Sequence, residues 1–130
     1  MAFLLYDYLS VQDFNEIKAW TEGLQTRERA KLNQRLDMLE QHGDALFPQI
    51  LSGTRMPGIM KLRVHGPVQL RPLLCRGPAV GEQAYTLLIG AKEVGSNFSP
   101  RNAESTAASR KSKVANDLAN RRANHERVAN

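Results

Sequence analysis

Basic side chains recur at strand spacing in the middle of the chain. Lys61, Arg63 and His65 alternate with Met60, Leu62 and Val64, so an extended backbone sends one set to each side. Arg71 follows in the next short run and Lys92 at the end of a third. If those runs pair, the cations gather, and such a cluster can bind several phosphates. Arg or Lys can also stabilise the phosphorane formed when a ribose 2′-hydroxyl attacks the adjacent phosphate, while His moves protons. That chemistry needs no metal and no cofactor. Two structural roles compete with it: His65 as a polar strand end, and Arg63 and Arg71 as partners of helix carboxylates.

A second basic set comes late. Arg121, Arg122, His125 and Arg127 follow Arg110, Lys111 and Lys113; they either enlarge one polyanion footprint or form a solvated helical face. Arg76 extends the central set, and Tyr85 beside the basic strands is a candidate for stacking on a base. Gly-rich phosphate loops, Ser-His-Asp order and zinc-ligand spacing are all missing. Cys75, the single cysteine, excludes an intrachain disulfide and reads as a small core residue beside Leu73 and Leu74.

The elements that must hold these residues can be read from periodicity. Phe3 to Leu9 reads as a strand, and Ser10 with Asp13 predicts a capped helix over 11–22. Thr26 predicts the cap of a second helix, whose stripe is Leu32, Leu36 and Leu39 and which stops by Gly43. Residues 43–58, with Gly43, Pro48, Gly53, Pro57 and Gly58, read as a connection. Three strands follow: 60–65, 68–71 broken by Pro72, and 84–91, whose unbroken apolar run predicts cover on both faces. Ser99-Pro100 predicts the start of a last helix reaching about His125, with a small-residue stripe through Ala103, Ala107 and Val114. The expected fold is α+β: a small, mostly antiparallel sheet covered by an N-terminal helix hairpin, plus a C-terminal helix, with the basic sheet face left free.

At 130 residues and 42% hydrophobic content, one domain spanning 1–130 is expected. Formal net charge is +5, unevenly spread. Residues 1–53 carry five Lys or Arg against eight Asp or Glu, and residues 54–92 carry six against one. This asymmetry points to a polyanionic partner, nucleic acid first. No apolar run approaches the ~20 residues of a membrane helix, so a cytoplasmic home and no membrane partner are expected.

The order of elements resembles the RelE/HigB/ParE superfamily of bacterial toxins, particularly its phage-derived HigB-like branch. The similar stretches are Lys61-Leu62-Arg63, Leu70-Arg71-Pro72, Leu87 to Glu93, and Arg121 to Arg127. The resemblance implies a toxin that cleaves mRNA, free or on the ribosome, and is silenced by a cognate antitoxin, often a helix-turn-helix protein. It assigns Arg63 and Arg71 to phosphate or transition-state contacts and Lys92 to a supporting charge. His65 completes the catalytic candidates as general acid or base, while Lys61, Arg76, Tyr85, Arg121, Arg122, His125 and Arg127 are the RNA-binding candidates. Glu93 stands where the family commonly has a second lysine. Two other functions stay open: gyrase inhibition of the ParE kind, and nucleic-acid or protein binding without catalysis.

Overall fold

The structure, a computed structural model, describes residues 2–129. Its fold is α+β, with a six-stranded sheet in the order β2 (Leu51–Gly53), β3 (Met60–Leu62), β5 (Leu73–Arg76), β6 (Ala84–Ile89), β1 (Leu4–Tyr8), β9 (Arg122–Asn124). Strand β1 (Leu4–Tyr8) lies parallel to β6 (Ala84–Ile89), and the remaining pairs are antiparallel. Every residue of β6 is buried, as its apolar run predicts for a strand covered on both faces.

Helices α1 (Glu16–Glu22) and α2 (Thr26–His42) cover one face. Ile17, Leu24, Leu32, Leu36 and Leu39 pack there against Leu5, Leu62, Val64, Leu74 and Leu87. The leucine stripe of α2 is the one its spacing predicts. The start of α1 is not. Asn15 Oδ1 accepts from Lys18 N at 2.9 Å and caps the helix, whereas Ser10 Oγ accepts from Phe14 N at 3.1 Å and closes the preceding turn. Asp13, with φ 59, sits in that turn, and Val11 and Phe14 stay exposed. Gly90 is required by packing: a Cβ there would lie 2.1 Å from the Trp20 ring.

The opposite face is also covered, which corrects the expectation of a free basic face. Helix α3 (Ala103–Asn116) lays Ala103, Ala107 and Val114 on Leu73, Cys75 and Leu88. Small residues let the helix approach closely, and Arg110 fastens it. That guanidinium donates to Leu88 O at 2.9 Å and to Glu16 Oε2 at 2.5 Å, and lies 4.9 Å from the centre of the Tyr8 ring.

Helix α3 does not reach His125. Asp117 leaves helical geometry, a single turn α4 (Leu118–Arg121) follows, and β9 (Arg122–Asn124) joins the sheet edge beside β1. The stretch expected as a bare connection also contributes a strand, β2 (Leu51–Gly53), paired with β3 (Met60–Leu62). At Pro72 the chain changes sheets. Strand β4 (Gln69–Leu70) belongs to a small sheet with β7 (Lys92–Val94) and β8 (Asn97–Ser99), while β5 (Leu73–Arg76) rejoins the main one. No helix among the described residues is long and apolar enough to cross a membrane.

Candidate anion-binding site

Strand period places Gln69 and Arg71 on one side of the chain, and antiparallel pairing sets Glu93 opposite Gln69. Three side chains from β4 to β7 therefore meet. Arg71 Nε donates to Glu93 Oε1 at 2.9 Å, and its Nη2 to Gln69 Oε1 at 2.6 Å. Arg71 Nη1 is taken by two carbonyl oxygens, Leu70 at 2.8 Å and Val64 at 3.3 Å. From β3, Lys61 Nζ donates to both oxygens of Glu93, at 3.2 and 3.4 Å, beneath the Phe98 ring 5.6 Å away. Arg63 adds a third cation, its Nε donating to Ser52 Oγ at 3.2 Å. A cavity of about 240 Å³ opens beside this cluster, lined by Arg55, Lys61, Glu93, Phe98 and Glu104.

Arg71 is only 4% exposed, and burial lowers its pKa, with Glu93 opposing that shift and the Arg63 charge adding to it. Burial alone would raise the Glu93 carboxyl. The hydrogen bonds and charges of Lys61 and Arg71 outweigh it and hold the group below its ordinary value. Arg71 is thus the inner wall of the cluster, while Lys61 and Arg63 keep partial access to solvent.

The other candidates are not gathered here. Lys92 is exposed and has no carboxylate partner among the described residues; its neighbour Glu93 takes the alternate side of β7. His65 is exposed and lines a separate trough against α2. Tyr85 is a correction: it is 0% exposed, packs 5.5 Å from the Phe3 ring and donates its hydroxyl to Asp44, so no base can stack on it. Its central position on β6 is the reason. Arg76 bridges to Asp44 at 3.2 Å and lies over the Phe3 and Tyr85 rings.

The late basic set is a clasp. Arg122 forms two 2.7 Å hydrogen bonds with Glu82 and lies 3.9 Å from the centre of the Tyr6 ring; each partner shifts the other, Glu82 downward and Arg122 upward. Arg121 donates to the carbonyls of Leu9 and Ser10. His125 Nδ1 lies 2.8 Å from Asp7 Oδ1, both side chains being 2% exposed. Arg127 meets Asp37 at 3.0 Å and Glu40 at 3.6 Å. These four side chains therefore hold β9 and the tail onto β1, α2 and the loop before β6. Cys75 is buried, and burial pushes its thiol up to about 11, in keeping with a core residue.

Sequence reasoning missed Glu93 as the centre of the cluster, and with it Ser52 and Phe98. The signal was present. Gly95-Ser96-Asn97 between Val94 and Phe98 is turn chemistry, and a hairpin there brings Phe98 opposite Glu93. Comparisons with protein-family models, curated proteins and solved structures found no match to this chain.

Proposed function

We propose that the protein binds RNA through the Lys61, Arg63 and Arg71 cluster and acts as an mRNA-cleaving toxin of the RelE/HigB kind. One observation carries this reading. Lys61 from β3 and Arg71 from the link between β4 and β5 converge on the two oxygens of one carboxylate, Glu93, within 3.4 Å, the arrangement that also suits a phosphate. A phosphodiester entering there displaces Glu93, is held by Lys61 and Arg63, and has the fixed charge of Arg71 behind it. Those charges stabilise the phosphorane formed when the 2′-hydroxyl, giving its proton to solvent, attacks phosphorus; the P–O5′ bond then breaks, and the 5′-oxygen leaves as a hydroxyl protonated by solvent. The proposed setting is the cytoplasm, on free or ribosome-bound mRNA, with a cognate helix-turn-helix antitoxin as the silencing partner.

Induced expression should arrest growth and truncate transcripts. Purified protein should cut an RNA oligonucleotide to an end carrying a 2′,3′-cyclic phosphate, and Arg63→Ala, which breaks no ion pair among the described residues and releases the Ser52 hydroxyl, should abolish both effects. Intact transcripts in arrested cells would refute cleavage. A second reading, RNA binding without cleavage, is favoured by the positions of the histidines near the candidate sets: His65 lies on another surface and His125 is buried against Asp7, so neither imidazole stands at the cluster to move a proton.

A further inference from the structure

A larger cavity than the one beside this cluster lies elsewhere. A trough of about 530 Å³ runs between the first turns of α2 and the loop joining β3 to β4, floored by Val64, Val68 and Leu70. It continues along α2 into a second hollow of about 250 Å³ that shares Lys31, Val64 and His65 and adds Arg35 and Met38. One wall carries Arg27, Lys31 and Arg35; His65 faces them. None of these four has a carboxylate partner among the described residues. The carboxylate lining the trough, Glu28, is turned to the helix start, where its Oε1 accepts from Gln25 N at 3.4 Å.

We infer that this trough is a docking site for an extended acidic peptide with aliphatic residues at alternate positions. Charge complementarity and spacing carry the inference. Arg27, Lys31 and Arg35 recur every four residues, about 6 Å along the axis at ~1.5 Å per residue. Residues on one side of an extended chain recur every ~6.6 Å. A strand lying along α2 therefore presents carboxylates at that repeat to the basic wall, and its alternate residues meet Pro67 and Val68. RNA fits less well. No Phe, Tyr or Trp lines either hollow, and an aliphatic floor gives unstacked bases nothing to stack on.

The test uses the full chain and three fluorescent probes: a short peptide alternating Glu with Val, its Lys-for-Glu counterpart, and a single-stranded RNA of similar length. Anisotropy should show binding of the acidic peptide alone at this surface. Arg27→Glu with Lys31→Glu should weaken it by roughly tenfold or more, as expected when two attractive contacts become repulsive. NMR shifts on peptide addition should centre on the methyls of Val64, Val68 and Leu70, which a diffuse attraction to basic residues elsewhere would not produce. Both variant positions lack ion-pair partners, so the melting temperature should hold and a lost signal reports the site. The proposal is overturned if the acidic peptide does not bind, if it binds with the reversed charges in place, or if RNA produces the methyl shifts. Because Arg63 is untouched, the outcome is independent of the RNA reading.

Discussion

Two sets of cations in this chain meet different fates. In the strand cluster, at Arg76 and in the clasp, Lys61, Arg71, Arg76, Arg121, Arg122, His125 and Arg127 each have an acidic partner within 4 Å. Along the α2 trough, Arg27, Lys31, Arg35 and His65 have none among the described residues. The first set lies in the basic part of the sequence, the second almost wholly in the acidic part. Formal charge along the chain therefore does not map the electrostatic surface: strand register and tail docking consume much of the excess charge, while the acidic segment leaves Arg27, Lys31 and Arg35 without a carboxylate partner among the described residues.

Substitution can break this contrast at several strengths. Arg71→Ala should have the largest effect, about 3–5 kcal/mol, because it takes one of two cations from Glu93 and a donor from Gln69 and from two carbonyls in a buried place. Urea denaturation measures it, and a variant as stable as the parent would remove Arg71 from the structural set. Arg122→Ala should cost about 2 kcal/mol through the loss of a paired, largely buried guanidinium and its Tyr6 contact. Release of the tail should then appear as faster amide exchange at Arg122 to Asn124.

Acid offers a third and gentler probe. Glu82 and Glu93 both titrate below the ordinary carboxylate value of 4.5. Their stabilisation is present above that value and is lost as pH falls from it through the lower native values. Stability of the parent should drop more steeply below pH 4.5 than that of a Glu82→Gln, Glu93→Gln double variant. Parallel curves would show these carboxylates to be energetically idle. The smallest effect belongs to the trough: Arg27→Glu and Lys31→Glu should each change stability by less than about 0.5 kcal/mol. A larger loss would mean that these cations are structural after all.

Legibility followed distance along the chain. The α2 stripe, the covered strand β6 and the alternation of β3 were readable because each is set by neighbours within a few residues. Even there, Asn15 displaced Ser10 as a cap, since Phe14 N and Lys18 N select their acceptors through the turn at Asp13. The candidate site was half legible. Its cations were identified, but Glu93 was read as a departure from a family pattern instead of the group they converge on. Arg71, favoured for contact with RNA, turned out to be walled in by its own neighbours.

By itself, the sequence determined the helix and strand periods, the leucines of the core and the presence of a basic cluster, because side-chain direction follows backbone period. Only the tertiary structure decided which cations remain available. Lys61 and Glu93 are 32 residues apart, Arg127 and Asp37 are 90 apart, and His125 and Asp7 are 118 apart. Pairings at such separations depend on how β7, β8 and β9 fold back over the sheet, and no local pattern of residues encodes that docking.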